Sequence, residues 1–202
     1  MNWLKISLKN NKMKRVVFIL MLLPLFATCQ KLQGTIHFLD GTSISGTVKV
    51  ASGDIKYWAS PDAKPDTYDY TGATSVTMTT KNGEQVRFEY VYFDFQKKPI
   101  LLKVEMEGYL TLYSDSSSYY TGAGVGMGFQ SSSTYYLKKR GEKLGQWFIC
   151  YGYIPKIQLP KVIDKYFNDC KVIQEKYHNW EFKKKDFREI VNYYNQNCAP
   201  KE

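Results

Sequence analysis

The chain is poor in the residues that build metal and thiol chemistry. Its 202 residues hold two histidines and four cysteines. His37 and His178 stand far apart, and no two cysteines have the close spacing of a zinc site. No metal and no cofactor is expected on those counts. Long apolar runs are missing as well. The apolar run Val16–Ala27 has 12 residues, against the roughly 20 that a membrane-spanning helix needs. Phosphate-loop chemistry is excluded by detail. Gly122-Ala-Gly-Val-Gly-Met-Gly128 lacks the Gly-Lys-Ser/Thr of a Walker loop, and no helical pattern follows it as a dinucleotide fold requires. It reads as an excursion from a β-hairpin.

Acid is missing from the first 29 residues, which carry Lys5, Lys9, Lys12, Lys14 and Arg15. A basic start, a short apolar core and then Thr28-Cys29-Gln30 describe a secretory signal peptide over residues 1–29. Met13-Lys-Arg opens a compact signal by itself, so Met1 and Met13 are alternative starts. Two cuts fit. Ala27 and Cys29 place small residues at the signal-peptidase positions and leave Gln30 as the new terminus. Alternatively, Cys29 becomes a lipid-modified terminus whose acyl chains hold the protein on a membrane. Either product works outside the cytoplasm: periplasmic, outer-membrane-associated or secreted.

The leader also explains the charge. The whole chain carries a formal +9, and the five leader cations reduce this to +4 once removed. Most of the remainder sits in one turn, on Lys138, Lys139, Arg140 and Lys143. Nucleic-acid binding is not expected from so local an excess.

Residues 30–155 alternate apolar and polar side chains. Gly34–Leu39 and Thr42–Val50 flank Asp40-Gly41 as a hairpin, and Gly46 marks a bulge or a close backbone approach. Further strands are expected at 54–59, 74–80, 84–95, 100–107, 109–114, 135–139 and 146–151, with 60–70 as a loop. After Pro155 and Pro160 the period changes to 3.6 and predicts three short helices over 156–202. The fold class is therefore α+β: an antiparallel β-meander forming a roll or partly closed barrel, with a helical tail packed on it.

Cys170 and Cys198 both fall on the apolar helix faces, so they are the favoured disulfide. The bridge would close a loop worth about 3–4 kcal/mol in the chain-entropy model. Cys150, on an apolar strand, then stays a buried thiol, although pairings through Cys150 remain open on spacing alone. Nothing local joins a cysteine to His37 or His178 as a nucleophile pair.

Three function classes remain. The first is a partner-binding module without catalysis, for a protein or other envelope partner. Its candidate contacts are Tyr119, Tyr120, Tyr135 and Tyr136, which flank the glycine loop, and the basic residues Lys138, Lys139, Arg140 and Lys143. The second is a small apolar-ligand carrier with a cavity inside the barrel. The third is a hydrolase using two of Glu89, Glu105 and Glu107, with Glu105 and Glu107 expected on one strand face. A membrane contact enters only through the lipid at Cys29.

Gly34-Thr-Ile-His-Phe-Leu-Asp-Gly, Leu112-Tyr113, Tyr135–Leu137, Tyr166-Phe-Asn-Asp-Cys170 and Ile190-Val-Asn-Tyr-Tyr-Asn195 resemble exported proteins of Bacteroidetes-type bacteria. The resemblance implies export and a β-rich body with a helical tail, and it carries over no catalytic residue.

The leader reading makes a direct prediction. The intact mass of protein made in its native host should correspond to a chain beginning at Gln30, or at Cys29 with added acyl mass. A full-length mass would remove the signal peptide.

Overall fold

Alternation along each strand sorts side chains to the two faces of a sheet, and chain length between strands then decides how that sheet bends. A computed structural model describes residues 31–120, 129–151, 159–182 and 187–200, with side chains at all of these except 116–120, 129–132 and 151. Residues 1–29 with Cys29, the glycine loop 122–128 and the side chains of Tyr119 and Tyr120 therefore lie outside the description. Ten strands run β1 (Leu32–Phe38), β2 (Ser43–Ala51), β3 (Asp54–Trp58), β4 (Asp66–Tyr68), β5 (Ala73–Thr79), β6 (Gln85–Val91), β7 (Ile100–Met106), β8 (Leu110–Tyr120), β9 (Phe129–Lys139) and β10 (Gln146–Tyr151). Among the described residues three helices follow: α1 (Leu159–Tyr166), α2 (Lys171–His178) and α3 (Phe187–Asn197).

The strands form one antiparallel sheet in the order β10-β9-β8-β7-β6-β5-β1-β2-β3-β4. It is a meander with one jump: β5 pairs with β1, not with β4. In a flat sheet β4 and β5 would stand about 19 Å apart, four strand spacings. The four residues between Tyr68 and Ala73 also make a tight turn, with the Gly72 and Ala73 amides donating to the Asp69 carbonyl. So short a link forces the sheet to curl. The Leu39 amide donates to the Gly72 carbonyl at 3.0 Å, and Phe38 packs edge-on against Tyr68. Ile36, Val48, Ile55 and Val76 fill the inside of this first roll with no exposure. Gly46 is a close approach: a Cβ there would lie 2.6 Å from the Tyr57 ring.

The other end curls toward the opposite face. The end of β6 meets the start of β10 through a single parallel bridge, Tyr92 to Leu144. Val91, Phe93, Leu102, Tyr113 and Tyr136 fill this second roll. The sheet thus bends in an S with β6 common to both rolls, and it stays open at its β4 and β10 edges. The outer face of β8–β10 is covered by the helices, where Leu110, Leu112, Leu137, Phe148, Ile163, Phe167, Ile190 and Tyr194 are fully buried.

Three expectations need correcting. Residues 66–68, expected as loop, form β4 along β3. The long strand expected over 84–95 stops at Val91, because the chain leaves β7 to reach Leu144. Both β8 and β9 run further than expected, into a ribbon paired from Asp115–Thr134 to Tyr120–Phe129.

Leu112 lies at the centre of the helix-to-sheet contact. Replacing it with alanine should cost about 2–5 kcal/mol. The urea midpoint should fall accordingly, and a variant as stable as the parent would show that the helical layer contributes little.

Candidate functional site

The expected site residues do not gather into one patch. Tyr135 and Tyr136 point to opposite faces of β9. Tyr136 is buried in the second roll, 4.8 Å from Phe93 between ring centroids, and Tyr135 packs on Phe187 at 4.5 Å under the Arg188 guanidinium. The basic run Lys138-Lys139-Arg140 is split by the same alternation. Lys139 joins Leu137 on the helical side and is only 9% exposed. Lys138 is half-buried, while Arg140 and Lys143 are exposed in the turn. Tyr136 and Lys139 are therefore parts of the interior, which corrects the expectation of those two as a contact surface, while Tyr135 is half-buried.

Lys139 instead builds a latch. Its Nζ donates to Asp169 Oδ2 at 2.8 Å and to the Tyr166 carbonyl at 2.9 Å. The rings of Tyr166 and Tyr194 lie 4.9 and 5.0 Å away, close enough for cation–π attraction. Tyr194 donates its hydroxyl to Asp169 Oδ2 at 2.6 Å, and Tyr166 donates to Glu142 Oε2 at 2.6 Å. Burial raises the Asp169 carboxyl, but the hydrogen bonds from Lys139 and Tyr194 outweigh it and hold the group below its usual range. Burial, then the neighbouring carboxylates, push the Tyr166 and Tyr194 phenols upward, so both remain proton donors. The next residue, Cys170, is bonded to Cys198, which ties the end of α3 to the same point. The favoured disulfide is the one present. Cys150 is a buried thiol outside it and accepts from the Thr134 hydroxyl at 3.5 Å.

The three acids do not all converge: Glu89 and Glu107 meet on Arg87, and Glu105 lies apart. A register shift between Val104 and Met106 places Glu105 in a bulge, which turns Glu105 and Glu107 to opposite faces. Glu105 faces the helices, where it accepts from Ser114 at 2.7 Å, Lys103 at 3.0 Å and Arg188 at 3.2 Å. Burial raises it, yet these partners prevail and lower it. Glu107 shares Arg87 with Glu89 on the other face, and the Tyr113 hydroxyl completes Glu89 at 2.8 Å. A general acid needs a raised carboxyl, and Glu105 is lowered. His178 lies 2.7 Å from Asp164, and His37 is exposed on β1. Neither forms a nucleophile pair.

A surface that sequence reasoning missed lies where β6 meets β10. The Gly145 amide donates to the Tyr92 carbonyl at 2.8 Å. Gly145 is needed there, because a Cβ would stand 2.7 Å from Phe93 and 2.8 Å from Val91. Tyr92, Phe95 and Leu144 are exposed at 46%, 55% and 47%. Phe95 stacks on buried Phe93 at 5.1 Å, so it is fixed from below. Leu144 also lines a shallow groove of about 390 Å³, whose other lining residues are Asp94, Glu142, Lys143, Gly145, Gln146 and Tyr166. Its far wall is the latch, since Glu142 and Tyr166 belong to both. The available signal was Tyr92-Phe-Asp-Phe95 together with the Gly-containing turn; alternation alone had assigned these residues to a continuing strand.

The latch predicts an asymmetry. Asp169→Asn leaves the buried Lys139 ammonium without its counter-charge and should cost about 1–3 kcal/mol. Lys139→Met leaves Asp169, half in water, and should cost less. A lowered carboxyl stabilises the fold above its unfolded value of about 4 and loses that contribution as pH falls through the folded value. The gap in urea midpoint between parent and Asp169→Asn should therefore shrink from pH 7 toward about pH 2. A gap constant with pH would show that Asp169 is not the group responsible. No family model, curated protein or solved structure matches the chain.

Proposed function

We propose that the protein is an exported binding module of the cell envelope that works without bond-making chemistry, and that its contact surface is the seam between β6 and β10. The observation that carries this reading is the exposure of Tyr92, Phe95 and Leu144 near the seam, with Tyr92 and Leu144 joined by a backbone bridge and Phe95 stacked on buried Phe93. Exposed aromatic side chains on a fixed support cost little ordering entropy on binding. The Cys170–Cys198 disulfide suits an oxidising compartment, in keeping with the basic leader.

Neither competing reading has such a feature behind it. The first roll, where a carried ligand would sit, is occupied by Ile36, Val48, Ile55 and Val76. Glu105 lies on the opposite face from Glu89 and Glu107, and those two are held by one guanidinium, that of Arg87.

A photo-crosslinking amino acid in place of Phe95 tests the reading in the native host with the native leader. Irradiation should give an adduct at position 95 and none from the same group at exposed Lys81, in the turn between β5 and β6. Equal labelling at both positions, or none at 95, would refute the seam as a contact surface.

A further inference from the structure

The edges of the sheet are not treated alike. β4 ends one side with three residues, Asp66–Tyr68, directly after Pro65. β10 ends the other with a bulge between Trp147 and Ile149. A short strand, a proline, a charge and a bulge are devices by which an edge avoids pairing with another chain.

A third edge lies within the strand order. The ladder between β7 and β8 ends at the Lys103–Ser114 pair. From there β7 follows β6, with Leu102 opposite Glu89 and Leu101 opposite Tyr90. β8 runs on beside β9 as an arm, paired from Asp115–Thr134 to Tyr120–Phe129. On the other side of this arm, β9 stays paired with β10 as far as Ser133–Tyr151. The β8 side is therefore the longer free edge. Among the described residues nothing but β9 pairs with Asp115–Tyr120. Six residues make roughly 20 Å of strand.

Composition is the second observation. From Ser116 to Leu137 the sequence holds no charged residue and no proline, in a chain that is 23% charged. The arm thus lacks the proline and charge found at β4, and no bulge interrupts its ladder.

Symmetry selects the occupant. Two identical strands paired antiparallel are related by a twofold axis, so a charge near that axis meets its own copy. Like charges across a strand pair are destabilising. A strand that pairs with itself must be free of charge near its axis, whereas one that takes a foreign peptide gains selectivity from charge. The β8 edge has the first composition. With the axis between Ser117 and Ser118, Ser116 falls opposite Tyr119 and Asp115 opposite Tyr120, so the one acid faces an uncharged residue.

We infer that the β8 edge of the arm, Asp115–Tyr120, pairs antiparallel with the same edge of a second copy of this chain. The contact is isologous, so each copy occupies the other's edge and the assembly stops at two. It shares no residue with the seam, and the two readings stand or fall separately.

The test measures molar mass by sedimentation on the chain from Gln30 with its disulfide intact. Concentrations run from about 5 to 500 µM, the range suited to an interface below standard size. The mass should rise with concentration toward that of two chains. The double variants S117K/S118K and S117E/S118E should each raise the dissociation constant at least tenfold and leave the urea midpoint of the dilute chain unchanged. Mixed in equal amounts they should pair again, because opposite charges then meet across the axis. A parent that keeps the mass of one chain at every concentration would overturn the inference. So would a dimer indifferent to both variants, a mixture that does not pair, or a mass that grows past two chains. A photo-crosslinking amino acid at position 118 in the native host should join two copies of the chain. An adduct with a different protein alone would give the edge to a foreign strand and overturn the inference as well.

Discussion

A buried cation organises the C-terminal half of this protein. Lys139 ends β9 on the side facing the helices, where water is nearly excluded. An ammonium group in that position needs compensation or it destabilises the fold. Asp169 supplies the charge, the Tyr166 carbonyl accepts a second bond, and two aromatic rings approach it. These partners come from the end of α1, the α1–α2 link and α3, so satisfying one side chain fixes where three segments meet. The turn after β9 is drawn into the same arrangement, because Glu142 bonds both the Lys139 amide and the Tyr166 hydroxyl. One wall of the groove is thus a consequence of solvating a lysine inside the protein.

The S-shaped sheet explains how so much aromatic material is used. Tyrosines on alternate positions serve both rolls and the helix contact at once. Tyr113 and Tyr136 lie in the second roll, Tyr90 closes the first by donating to the Gly53 carbonyl at 3.1 Å, and Tyr194 is the buried tyrosine of α3. What remains exposed at the seam is small by comparison, and its composition is mixed. This explains why the abundance of tyrosine was a poor guide to a contact surface.

Local signals in the sequence were read correctly where the physics is local. Asp40-Gly41 set a hairpin with Ile36 opposite Ile44, and the change of period after Pro160 marked the helices. Cys170 and Cys198 lay on apolar helix faces and are joined. What could not be read depended on pairing between distant segments. The jump from β4 to β1's neighbour is decided by a four-residue link and by the Leu39–Gly72 bond, neither of which has a periodic signature. Glu105 and Glu107 were expected on one face because period two puts them there, and one inserted residue reversed that. Lys139 resembled a surface charge in a basic run until Asp169 was brought to it from 30 positions away. The seam combines both difficulties, since its two halves are more than forty residues apart and Phe93 interrupts the expected strand.

The placement of the latch has a consequence for how the chain matures. Polypeptides emerge from a ribosome, or through a translocation pore, N-terminal end first. The first roll is filled by residues up to Leu101, all of which emerge before β8. Tyr194, Asn195, whose amide side chain clasps both backbone groups of Leu110, and Cys198 emerge after everything they secure. Until they appear, the apolar outer face of β8–β10 is uncovered and Lys139 lacks part of its shell. The order of emergence therefore places the residues of the first roll before those that latch the second half. The Cys170–Cys198 bond can form only after the last of these residues has emerged.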